Sequence, residues 1–138
     1  MFVYSKDLDT SASNLALELS EGDYWRIWVK KDIEGAQKYA AKYVWLVGHG
    51  EKTASAIVDI DSHPIIEMED VIDWSEANGA THIIDTCCAP RKRLDAVKAS
   101  KTKLTYYCKA DLDATTASLS IEQLEKWWAQ EKFTKAHP

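Results

Sequence analysis

Tyr43-Val44-Trp45-Leu46-Val47-Gly48-His49-Gly50 is the stretch from which the fold is read. Five apolar residues follow one another without polar alternation and stop at a histidine flanked by glycines. A strand with one wet face alternates, whereas a strand covered on both faces does not, so this run predicts a central parallel strand. A second β-prone run, Thr81-His82-Ile83-Ile84-Asp85-Thr86, reads as another strand and ends at Cys87. Each run delivers a chemically capable side chain to the point where the chain leaves a strand.

The flanking segments supply the rest of an alternating pattern. Phe2-Val3-Tyr4-Ser5 is β-prone, and Asp9-Thr10-Ser11 offers caps for a helix carrying Leu15, Leu17 and Leu19. Glu21-Gly22-Asp23 interrupts it, residues 24–29 read as a strand, and Asp32 opens a short helix through Ala40. The β-prone piece Ala56-Ile57-Val58-Asp59-Ile60 reads as a small hairpin outside the main sheet. Apolar residues at 66, 68, 71, 72 and 74 have near-helical spacing, and Asn78-Gly79 ends that helix. A helix over 91–100, a strand over 104–108 and a last helix over 121–135, capped by Ser120 with Glu122 and Gln123 in its first turn, complete the chain. Strands joined through helices need crossover connections, which force a parallel sheet. The expectation is an α/β fold: one three-layer α/β/α domain spanning 1–138, with a mostly parallel five-stranded sheet.

Bulk properties agree. The chain has 138 residues, 46% hydrophobic and 28% charged, with five glycines and three prolines, a composition suited to one packed core. Net charge is -5, and the cations are scattered apart from Arg91-Lys92-Arg93, so no nucleic-acid partner is expected. No apolar stretch reaches the roughly 18 residues of a bilayer span, and no basic-then-apolar leader opens the chain. No membrane association and a cytoplasmic location are expected. Three cysteines, two of them adjacent, do not make a disulfide framework and suit a reducing compartment.

In doubly wound sheets the working crevice lies beyond the carboxyl ends of the strands, where His49 and Cys87 both fall. A thiol attacks carbonyls as thiolate, and a neighbouring imidazole lowers its pKa and can protonate the leaving group. His49 and Cys87 are the candidate catalytic pair. The N–H groups of Gly50 and Cys87 are candidate oxyanion donors, because both follow strand ends and glycine leaves the backbone open.

The run 43–50 resembles the strand and His-Gly motif of caspase-like cysteine peptidases. Ile83-Ile84-Asp85-Thr86-Cys87 resembles their strand and nucleophile motif, nearest to metacaspases. The resemblance implies a caspase-like fold and a cysteine endopeptidase with His49 as general acid/base and Cys87 as nucleophile. It also implies a basic residue before the scissile bond, received by Asp85 together with Asp111 of Cys108-Lys109-Ala110-Asp111-Leu112-Asp113. The substrate would be a peptide or protein, with no cofactor. The chain departs from the family at Cys88-Ala89-Pro90, where a small Ser-Gly or equivalent usually follows the nucleophile.

Competing readings stand beside these. A cysteine at a strand end is commonly core filler, which gives the alternative of a non-catalytic caspase-like protein-binding module. Asp111 and Asp113 also suit loop caps. Arg91-Lys92-Arg93 reads as a solvated helix start, or as a feature favouring an acidic substrate. His63 and His82 with Cys87 and Cys88 lack zinc-ligand spacing, so no metal is expected. Trp127-Trp128 with Leu124 and Phe133 loads the last helix with aromatic surface, a candidate face for a protein partner.

Overall fold

The computed structural model describes residues 2–5, 24–27, 42–109, 112 and 133–137. Strands β1 (Phe2–Ser5), β2 (Tyr24–Ile27), β3 (Tyr43–Val47), β6 (His82–Asp85), β7 (Thr105–Lys109) and β8 (Phe133–His137) form one six-stranded sheet in the order β2-β1-β3-β6-β7-β8. The first five are parallel, and β8 pairs antiparallel with β7. A separate antiparallel hairpin joins β4 (Ala56–Val58) to β5 (Pro64–Glu67). Two helices are described, α1 (Met68–Ala77) and α2 (Arg91–Ser100).

The sheet is mostly parallel, as the strand-helix alternation predicts, and it differs from the expectation in one strand. Residues 133–135, assigned from sequence to the end of the last helix, belong to β8, which makes the sixth strand. The remainder of that helix, with Trp127-Trp128, lies outside the described residues, as do the helices expected after β1 and after β2. Ile66 also moves from the expected helix into β5.

Both described helices cover one face of the sheet. The register aligns Val44 with Ile83 and Ile83 with Tyr106, so these side chains share a face with Leu46, Asp85 and Cys108. Against them pack Met68, Val71, Ile72 and Trp74 from α1 and Leu94 and Val97 from α2. Met68, Val71, Ile72 and Ser75 recur at helical spacing, which is why this segment coils with one face inward. Full burial of a side chain such as Val44, Leu46 or Ile83 contributes about 1.5–3 kcal/mol each. Among the described residues no helix is long and apolar enough to cross a membrane.

Counted along the chain, the sheet strands run second, first, third, fourth, fifth, sixth, so the order reverses between β1 and β3. The His49 loop leaves β3, and the Cys87 loop leaves the adjacent β6.

Candidate functional site

The two loops begin side by side. Leu46 pairs with Asp85 at the ends of β3 and β6, and the backbone N–H and hydroxyl of Thr86 both donate to the Leu46 carbonyl, at 3.1 and 2.7 Å. His49 is half-buried and is anchored by its own carbonyl, which accepts the Val58 N–H at 3.0 Å from the hairpin. Gly50 packs so closely on the second loop that a Cβ there would stand 2.0 Å from the Cys88 carbonyl oxygen and 2.6 Å from Arg93 Nη1. Glycine is thus required at 50 by close approach and not by an unusual backbone angle.

Asp85 organises the site. Its carboxylate accepts Arg93 Nε at 2.6 Å, Arg93 Nη2 at 3.3 Å, the Tyr106 hydroxyl at 2.5 Å and the Cys87 N–H at 2.9 Å. Asp85 and Arg93 are both sealed from solvent. Burial disfavours the guanidinium charge, but the charge and hydrogen bond of Asp85 together with the neighbouring Cys87 and Tyr106 outweigh it and raise the Arg93 pKa. Arg93 Nη2 also donates to the carbonyls of Cys87 and Cys88, at 3.2 and 2.9 Å, which ties the start of α2 to the loop before it. Burial, and then the Asp85 charge, push the Tyr106 hydroxyl well above its ordinary pKa.

Cys87 is 0% exposed and lies in the apolar cluster under α1 and α2. Burial first, then the Asp85 charge, hold its thiol well above the ordinary value. Both effects oppose thiolate formation, the reverse of what a nucleophile needs. The same two causes push Cys108 up to about 12. Cys88 is half-buried, and none of the three cysteines is in a disulfide.

The structure therefore brings together Asp85 and Cys87, and sets Gly50 against the carbonyl that follows Cys87. It does so in an order that differs from what the resemblance implies. Asp85, assigned to receive a basic substrate side chain, already holds an internal arginine. The Cys87 N–H, assigned to an oxyanion, is donated to Asp85. Asp111 lies outside the described residues. The residue that sequence reading passed over is Arg93, taken as part of a solvated run. Its signal was present: Arg93 and Val97 are one turn apart on the face that also carries Leu94, so an arginine stands in an apolar stripe.

The histidines weighed for metal binding are apart from this site. The His82 ring stands between Tyr43, with centroids 4.9 Å apart, and Tyr107, at 6.3 Å. His63 lies with Asp59 and Asp61, where one ligand atom from each falls within 4.8 Å of the others. There Asp59 Oδ1 accepts the N–H groups of Asp61 and His63, at 2.9 and 2.8 Å, as a turn residue does. The hydrogen bond from the His63 N–H is the main cause of its lowered pKa.

Searches against protein-family models, curated proteins and solved structures found no match to this chain.

Proposed function

We propose that this chain is a non-catalytic module of caspase-like fold that binds a protein partner, with its strand-end constellation serving as a structural lock. The observation that carries the reading is the internal engagement of three groups assigned to a thiol peptidase: the Cys87 sulfur, the Cys87 N–H and the Asp85 carboxylate. The sulfur is 0% exposed, its N–H goes to Asp85, and Asp85 is saturated by Arg93 and Tyr106. A hydrogen-bonded buried ion pair of this kind fixes the relative placement of the elements it joins, here β6, β7 and the start of α2. Alkylation with iodoacetamide at neutral pH, followed residue by residue by mass spectrometry, tests it: Cys87 should react more slowly than an unfolded thiol. Rapid modification of Cys87 would defeat the reading.

A second reading is a cysteine endopeptidase using His49 and Cys87, with hydrolysis beginning only after the site opens. It is favoured by one specific observation: the two motif-bearing loops leave adjacent parallel strands and touch through Gly50 and the Cys88 carbonyl. Fluorogenic peptides with basic, acidic or Asn residues before the cleavable bond separate the two readings. Cleavage by wild type that is lost in Cys87→Ala supports the peptidase; no thiol-dependent cleavage of any of them supports the binding module.

A further inference from the structure

A cavity lies at the end of the sheet opposite the His49 and Cys87 loops. The crossover connections bring the carboxyl ends of α1 and α2 to the starts of β6 and β7, and there a cleft of about 620 Å³ opens. Its walls are Glu76 from the last turn of α1, Thr81 and His82 at the start of β6, and Lys101 and Lys103 from the turn after α2. Ala80 and the buried Leu104 give it an apolar patch. A volume of this size suits a small organic molecule. None of these residues belongs to the strand-end constellation around Asp85.

The turn that carries both lysines is held firmly. Lys101 has φ +56°, in the left-handed region where helices ordinarily end on glycine or asparagine. A residue with a Cβ is strained there, and such strain gathers at working sites. Thr102, between the lysines, is buried: its hydroxyl donates to Glu76 Oε1 at 2.5 Å and accepts the Leu104 N–H at 3.1 Å. Its carbonyl accepts a hydrogen bond from His137 Nε2 at 2.9 Å, which ties the turn to β8. Thr102 therefore anchors the turn while Lys101 and Lys103, both exposed, line the cleft. The same contact engages one Glu76 oxygen, and neither lysine is ion-paired among the described residues.

The balance of charge decides what enters. Two ammonium groups stand against one carboxylate that is already engaged. The two helix carboxyl ends carry roughly half a negative charge each, and Lys98 in the last turn of α2 offsets them, which leaves about one surplus positive charge. We propose that this cleft binds a small phosphate monoester, with Lys101 and Lys103 as the cations that hold the phosphate and the organic part lying against Ala80 and Leu104. Lysine suits this ligand, because its compact charge holds a phosphate without the planar fork that favours carboxylate. The facing wall is already ordered: His82 Nδ1 lies 2.6 Å from the Thr81 hydroxyl, and the rings of Tyr43 and Tyr107 flank the imidazole. A wall fixed beforehand loses little freedom when a ligand enters. The site is separate from the protein-binding reading above and does not depend on it.

The test uses the full chain, isotope-labelled, titrated with phenyl phosphate, inorganic phosphate and benzoate and followed by the backbone amide resonances. Phenyl phosphate should bind saturably and shift the amides of Ala80, Lys101 and Lys103 while those of Gly50 and Cys88, at the far end of the sheet, stay in place. Inorganic phosphate, which lacks the organic part, and benzoate, which lacks the phosphate, should each bind several-fold more weakly. Lys103→Gln, altered at an exposed side chain, should weaken phenyl phosphate about tenfold, as loss of one charge-assisted hydrogen bond would give. Lys101→Gly should weaken it as much while melting no lower than wild type, because glycine relieves the left-handed backbone. That pairing of lost binding with kept stability is what a ligand-holding lysine predicts and a structural one does not. Absence of saturable binding, benzoate or inorganic phosphate binding as tightly as phenyl phosphate, shifts centred on Gly50, or lysine variants that bind like wild type would each overturn the proposal. A Lys101→Gly chain that melts below wild type would overturn it as well, by giving Lys101 a structural role.

Discussion

Arg93 Nε lies 2.6 Å from Asp85 Oδ2 with both side chains wholly shielded from water, and the two residues come from a helix and from the strand before it. A pair this deep is held by geometry, since desolvating two charges consumes much of what their attraction returns. Removing one partner leaves the other charged and alone. Arg93→Met should therefore cost about 3–5 kcal/mol in urea unfolding. Asp85→Leu combined with Arg93→Met should recover a large part of that loss, because no charge then remains buried. Additive losses in the double variant would show that the two groups do not act as a pair.

The buried thiols predict how stability responds to alkali. Cys108 rises from the ordinary 9.0 to about 12 in the folded chain. Below the unfolded value both states are protonated and the contribution is fully present. As pH rises from about 9 toward 12 the unfolded chain loses the proton first, so stability falls. Cys87 acts in the same direction. The wild type should thus lose more stability than Cys108→Ala between pH 8 and 11, measured by urea midpoints. Parallel curves for the two proteins would contradict this assignment.

Two glycines separate close packing from backbone strain. At Gly50 a methyl group would meet the Cys88 carbonyl at 2.0 Å, a backbone atom that cannot turn aside. Gly50→Ala should cost about 3 kcal/mol through overpacking. Gly79 has φ +76° with open space where a Cβ would go, so Gly79→Ala meets only the left-handed penalty, about 1 kcal/mol. Thermal unfolding of both variants checks the order, and a Gly79 variant less stable than the Gly50 variant would reverse the argument.

The parts of this fold visible in the sequence are those determined locally. Tyr43–Val47 announces itself as an unbroken apolar run, His82–Asp85 as a short β-prone piece around Ile83 and Ile84, and the helix over 91–100 follows from Pro90 and the Arg/Lys run after it. Residues 133–135 read as helix from sequence because their strand partner, Thr105–Lys109, is remote in sequence, while the helix expected from Ser120 onward runs into them from upstream. Ile66 was misplaced because apolar residues two apart, at 66 and 68, fit either period over so short a span. At the site, sequence placed His49 and Cys87 at strand ends but could not give the burial of a side chain beyond a strand end. Whether Cys87 turns outward or under α2 depends on Arg93 and Tyr106 gathering around Asp85, a contact among three elements that no local pattern encodes.

The manner in which Cys87 becomes reachable separates a lock from a resting enzyme. If the Asp85 constellation only holds structure, the Cys87 sulfur is exposed when the core comes apart and not before. Its labelling by a thiol reagent should then be as slow as that of Cys108, which shares the same apolar cluster. Both rates should rise with urea along the slope of global unfolding. Cys88, half-buried, should be modified well before either. A peptidase needs the opposite, a cheap local opening that bares Cys87 while Cys108 stays protected. Such an opening would appear as faster Cys87 labelling with little dependence on urea. Parallel protection of Cys87 and Cys108 is the expected outcome, and a Cys87 rate set apart from both Cys108 and the unfolding slope would return the thiol to catalysis.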